Sequence, residues 1–311
     1  MICLLSELHY QWKARVYLIF LGISIFLVVM MYLSQRNFLT SNLSSFYQAI
    51  EDANANGEDI KGLLEGSFKI DQLQNMEVIN NPLKYYFMSY QASLVAMFPK
   101  NGVNQLLSSS FFIIFPCMSG VYGAIIANAE VKYGTQKVHR TIMSQWQINR
   151  SKLIASAVSI FSILFISIMA FIMIQLLTSL TFPMKVDTIV NLDNLRKISY
   201  LSNALYQILF IFGISLLYFI VTFYLTLVTK NILISIFVLS AYNLFLPILG
   251  RFDFKNIVLN IYLKVFNTNA STFNIATGSV ISLTSWIVII PFVLLVFYIL
   301  IMEVVLLRKE K

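Results

Sequence analysis

The stretch LIASAVSIFSILFISIMAFIMIQLL, residues 153–177, holds 25 residues without a single ionisable side chain. A helix needs ~20 mostly apolar residues to cross a hydrocarbon core of ~30 Å, and this run is long enough to do so. Five further runs share its character: 16–33, 106–127, 204–228, 232–249 and 283–305. They are continuous, whereas barrel strands alternate over about ten residues, so helices are expected. Across all 311 residues 58% are hydrophobic and 12% charged, against roughly 25% charged in an ordinary soluble domain. So little charge does not cover a water-soluble globule, and disorder requires low hydrophobicity. The expected fold is an all-α polytopic membrane protein with six transmembrane helices.

The first run follows Lys13 and Arg15 as a signal peptide would, but Met31-Tyr32-Leu33-Ser34-Gln35 offers no small-x-small cleavage site. An uncleaved span is expected. The net charge of +8 is then read as topology, not as a footprint for nucleic acid. One set of connecting segments, 1–15, 128–152, 229–231 and 306–311, carries Lys13, Arg15, Lys132, Lys137, Arg140, Arg150, Lys152, Lys230, Arg308, Lys309 and Lys311 against only Glu7, Glu130 and Glu310. The other set, 34–105, 178–203 and 250–282, spreads as many cations over far more residues and offsets them with acids. Cation density places the first set, with both termini, in the cytoplasm.

Glu303 is the one ionisable residue inside a span, close enough to Arg308 to read as an interfacial carboxylate. Buried charges mark proton and ion paths, so an ion-coupled carrier and a voltage sensor are disfavoured. In the second span Gly120/Ala124 and Gly123/Ala127 place small residues four apart, which lets a neighbouring backbone approach closely. Pro116, Pro247 and Pro291 interrupt helical hydrogen bonding. Cys3 and Cys117, the only cysteines, read as unpaired thiols.

Outside the spans, residues 1–15 mix Leu4, Leu5, Leu8, Tyr10 and Trp12 with Glu7, His9 and Lys13, as suits an interfacial amphipathic helix. The extracellular loop 34–105 reads as a helical cap. Ser41 or Asn42 caps a helix over 43–53 that Asn56-Gly57 ends, 60–64 and 72–78 are further helical candidates, and Asn81-Pro82 opens an apolar run to Phe98. Leu83, Tyr86, Phe87, Tyr90 and Leu94 share one face of that run. The extracellular loop 250–282 contains a second amphipathic stretch, 257–266.

The segment 128–152 carries the most information: Glu130, then Gly134-Thr135, Lys137 and Arg140, then Trp146, Arg150 and Lys152. Thr135 caps a short helix to about Met143, and a turn over 144–149 leads into the third span. Here the chain resembles permease subunits of ABC transporters of the type-2 exporter class, particularly small Gram-positive permeases of bacitracin- and lantibiotic-type export and immunity. Glu130, Gly134 and Thr135 match the family signature in identity and spacing, Lys137 fits the bacitracin-like subset, and Arg150 and Lys152 match in type. Arg150 departs by sitting one helical turn further from Gly134 than is usual, and Gln145-Trp146-Gln147 replaces the expected Pro or Gly.

The resemblance implies that Glu130, Gly134, Thr135, Lys137, Arg140, Trp146, Arg150 and Lys152 form an ATPase-coupling segment. It also implies a cytoplasmic ABC ATPase subunit that binds ATP and Mg, and a second permease subunit in a homo- or heterodimer. The chain has no Gly-x-x-x-x-Gly-Lys-Ser/Thr loop, so no bound cofactor, metal or catalytic site of its own is expected. The implied function is ATP-driven export of a hydrophobic or amphipathic substrate such as a peptide antibiotic. The alternative is a non-transporting sensor or scaffold acting through the 34–105 loop.

Overall fold

The computed structural model describes residues 2–73, 76–133, 144–179, 203–244, 253–266 and 290–308. The described chain is helical apart from one short hairpin. Four helices are long and apolar enough to cross a membrane, as a membrane protein requires when every buried backbone group must be paired within its own segment. These are α2 (Val16–Ala55), α6 (Phe111–Tyr133), α7 (Gln145–Ser179) and α8 (Ala204–Thr229). Two shorter apolar helices, α9 (Ile232–Leu244) and α11 (Ile290–Arg308), occupy the fifth and sixth expected spans. The rest of those two runs, 245–249 and 283–289, lies outside the described residues.

Helix α2 runs for 40 residues, about 60 Å at 1.5 Å per residue, twice the thickness of a hydrocarbon core. The expected break before residue 43 is absent. No Gly or Pro occurs between Gly22 and Gly57, and the hydroxyls of Thr40 and Ser44 bond back to the carbonyls of Asn37 and Ser41, both at 2.8 Å. Such bonds within a turn leave the helix intact where a capping bond would have started a new one. It ends where expected, at Asn56 and Gly57, whose φ of 70° is left-handed.

Beyond α2 the chain folds back on it. Asp59 caps α3 (Ile60–Glu65) by accepting from Lys61 N and Gly62 N, each at 3.1 Å. The expected helix at 72–78 is instead an antiparallel hairpin of β1 (Ile70–Leu73) and β2 (Met76–Ile79), with Ile70 opposite Ile79 and Leu73 opposite Met76. Apolar residues at both ends of each strand suit a ladder better than a helical stripe. Helix α4 (Pro82–Ala96) opens on Pro at its first turn, and Asn81 Oδ1 accepts from Lys84 N at 3.0 Å. Leu83 and Tyr90 are buried and Phe87 is half-buried. Phe46 of α2 packs 5.4 Å from the Phe87 ring and 6.1 Å from Tyr90. The apolar face of α4 therefore covers the outer part of α2.

The second span starts later than expected. Leu106 and Leu107 end a short buried helix, α5 (Gly102–Leu107), and the long helix begins at Phe111. The third starts earlier: residues 145–152 already belong to α7. Helix α1 (Ile2–Lys13) and the amphipathic α10 (Phe254–Val265, capped by Asp253) are helical where helices are expected.

The small residues of α6 do what their spacing predicts. A Cβ on Gly123 would sit 2.5 Å from the Phe219 carbonyl oxygen of α8, and one on Gly120 would meet Leu239 of α9 at 2.8 Å. Thr222 donates to the Gly120 carbonyl at 2.6 Å. A second hydroxyl contact, Ser24 with Ser167 at 2.6 Å, joins α2 to α7. Replacing Gly123 with Ala forces α6 and α8 apart, with an expected loss of about 1–3 kcal/mol. Gly213→Ala, where nothing lies within 4 Å, should instead raise stability by roughly 0.5–1 kcal/mol through helix entropy. Thermal unfolding of the two purified variants checks the contrast.

Candidate functional site

Toward one end of the bundle α1 packs along α7 and reaches α6 through Gln11. Ala14 and Arg15 turn the chain from α1 into α2, and Arg15 takes a φ of 59°, a conformation uncommon outside glycine. The turn lets α1 present Gln11 to the bundle, where it is 1% exposed. Gln11 Oε1 accepts from Tyr122 OH of α6 and from Ser159 Oγ of α7, both at 2.7 Å. Its Nε2 donates to Ser156 Oγ at 3.0 Å. Both ends of one carboxamide are thereby used, and one side chain ties three helices. Leu5, Tyr10 and Trp12 of the same helix are exposed.

The start of α7 is a capping box. Gln147 N donates to Ser144 Oγ at 3.4 Å, and Ser144 N donates to Gln147 Oε1 at 3.2 Å. Residues 145–149 are therefore helical, which corrects the turn expected over 144–149. One turn apart on this helix, the exposed Arg150 guanidinium stands 5.1 Å from the centre of the exposed Trp146 ring. Lys152, expected beside Arg150 at the headgroups, is buried. Asn149, also buried, donates from Nδ2 to Glu303 Oε1 of α11 at 3.4 Å, and Tyr224 OH of α8 donates to the same oxygen at 2.7 Å. Glu303 is therefore an acceptor shared by α7 and α8, not simply an interfacial carboxylate beside Arg308.

Of the eight residues expected to couple to an ATPase, Trp146, Arg150 and Lys152 fall on the first two turns of α7. Glu130 falls near the end of α6. Gly134, Thr135, Lys137 and Arg140 lie outside the described residues. The helices that carry both ends of the 134–143 segment are those that Gln11 joins.

Two of the cavities among the described residues lie elsewhere. One, of about 520 Å³, opens between α8, α9 and α11 and is lined mainly by apolar side chains such as Leu217, Val221, Val238 and Leu295. Its hydroxyls are satisfied from the walls: Tyr218 OH donates to Asn243 Oδ1 and Tyr242 OH to Asp253 Oδ1, each at 2.9 Å. The other, of about 320 Å³, lies in the cap between α2 and α4 and is polar, with Gln48, Asp52, Asn56, Glu58, Asn80 and Tyr86 on its walls. Among the described residues no group of three His, Cys, Asp or Glu side chains is arranged to hold a metal ion. No family model, no curated protein and no solved structure matches the chain.

The residues that hold this end together, Gln11, Tyr122, Asn149, Ser156, Ser159 and Tyr224, carry no sequence motif. The one available signal is a polar side chain flanked by apolar ones on helices otherwise destined for lipid. Gln11→Leu leaves Tyr122 and two serines without their buried partner, with an expected loss of about 1–3 kcal/mol. Gln11→Glu keeps the acceptors but loses the Nε2 donor. Melting temperatures should fall in the order wild type, Gln11→Glu, Gln11→Leu, and an unchanged Gln11→Leu protein would dismiss the lock.

Proposed function

We propose that this chain is the permease subunit of an ATP-driven ABC exporter of the type-2 class, in a bacterial plasma membrane. On this reading it has six spans and cytoplasmic termini. Segment 130–152 receives the stroke of a separate ATPase that binds ATP and Mg, and a second permease subunit completes the translocation path. The supporting observation is mechanical. The helices at either end of 134–143 are bonded to α1 through Gln11, and α7 is bonded to α8 and α11 through the Asn149–Glu303–Tyr224 contact. A force applied between α6 and α7 is therefore delivered to most of the bundle at once.

Glu130, Gly134 and Thr135 supply the family resemblance, Lys137 and Arg140 the charge for a soluble partner, and Trp146 and Arg150 an exposed platform at the start of α7. The apolar cavity between α8, α9 and α11 suits an alkyl chain or an apolar peptide side chain, which is the hydrophobic or amphipathic substrate class. A second reading, a membrane sensor or scaffold, is favoured by the polar cavity of the cap with its two acids, Asp52 and Glu58.

Two measurements separate the readings. Affinity purification from the native host should bring down a cytoplasmic ATPase, and Glu130→Ala together with Gly134→Pro should abolish that capture while leaving the permease in the membrane. Retained capture and transport in the double variant would remove segment 130–152 from the coupling role. A cysteine at Gln136 should resist a membrane-impermeant reagent applied to intact cells. Labelling from outside would put the segment in the wrong compartment and favour the sensor.

A further inference from the structure

At the end of the bundle opposite α1, the helices contribute a second set of carboxamides: Gln35 from α2, Asn104 and Gln105 from α5, Gln175 from α7 and Gln207 from α8. All five are more than nine-tenths buried. Asn104 and Gln105 lie on α5, and Gln175 and Gln207 lie against it. Gln207 Nε2 donates to Asn104 Oδ1 at 2.6 Å, and Gln175 Nε2 donates to the Ala96 carbonyl at 3.1 Å. The α5 backbone is so close to Gln175 that a Cβ on Gly102 would lie 2.6 Å from its Oε1. Tyr262 of α10 closes one side by donating to the Ser108 carbonyl at 2.9 Å. Ser109 Oγ lies 3.2 Å from the sulfur of Met31. Gln105 sits one turn before Ser109 and Gln35 one turn after Met31, which brings both to the same level.

The contrast with the α1 end is in the accounting. Gln11 uses both of its amide atoms on three partners. Here Gln35 and Gln105 find no protein partner for either amide atom. Asn104 Nδ2, Gln175 Oε1, Gln207 Oε1, Tyr32 OH and Ser108 Oγ are equally without one. Buried polar atoms in folded proteins are almost always paired, and where protein does not supply the partner an ordered water does. The open valences are three amide nitrogens that donate, four carbonyl oxygens that accept and two hydroxyls that do either. No ionisable carboxylate or amine is among them, so the ligand they match is neutral, small and able both to donate and to accept. We propose that this layer binds a cluster of water molecules, so that the end of the bundle opposite α1 is a hydrated chamber around α5. The inference is independent of what the chain transports or whether it transports.

X-ray radiolysis of the full-length wild-type chain in lipid nanodiscs tests it, because hydroxyl radicals formed from bound water oxidise the side chains beside that water even when bulk solvent does not reach them. Tyr32 and Tyr262 are compared with Tyr224, an equally buried tyrosine whose hydroxyl is held by Glu303. The expected result is oxidation of Tyr32 and Tyr262 several-fold faster than Tyr224. Equal rates overturn the proposal without recourse to any variant. In Gln35→Leu/Gln105→Leu, the Tyr32 oxidation should be lost and the melting temperature should fall. A variant that melts higher, with Tyr32 oxidised as before, would mean that the water beside Tyr32 is not held by these amides, and the proposal would be refuted.

Discussion

The close approach of α6 and α8 is the contact on which the remaining helices are arranged. With no side chain at Gly123, the Phe219 carbonyl comes within a distance no Cβ would permit. Lipid tails are as apolar as leucine, so helices in a bilayer gain little by hiding apolar surface from one another. They gain by dispersion at short range and by hydrogen bonds such as Thr222 to the Gly120 carbonyl. Once these two helices are seated, α9 follows against Gly120 through Leu239, and Tyr122 of α6 faces α1.

Polar bonding then separates the two ends. At the α1 end, Gln11 and Glu303 each serve helices distant in sequence, and each is bonded within the protein. At the other end protein partners match only three of the ten amide atoms around α5. Between the two, contacts such as Ser24 with Ser167 are hydroxyl pairs of small reach.

The spans were legible because transfer into hydrocarbon depends on local composition alone. The fourth was placed to within a residue, and the small-residue pairs of the second marked its packing face. Sequence pattern and structure differ where local signals compete. Ser41 and Asn42 looked like caps, but a hydroxyl or carboxamide also bonds happily to a preceding turn, and only the chain beyond decides which. Residues 72–78 were too few to show a period. Ser144 and Gln147 form a reciprocal cap that the sequence contained, yet the nearby polar run read as a turn. In the candidate site, Glu130 through Lys152 stand out in the sequence by charge and spacing, while Gln11, which joins the flanking helices, does not.

By itself the sequence determined roughly where the four long apolar helices lie, which connections are rich in cations, and which helix face has room for a close neighbour. These are properties of a residue and its near neighbours. Only the tertiary structure decided that Gln11 meets Ser156, that Tyr224 and Asn149 share Glu303, and that Gln207 reaches Asn104. Such partners lie roughly 80 to 150 positions apart in the chain. A buried amide needs a partner, but nothing in the order of residues says which helix will bring it.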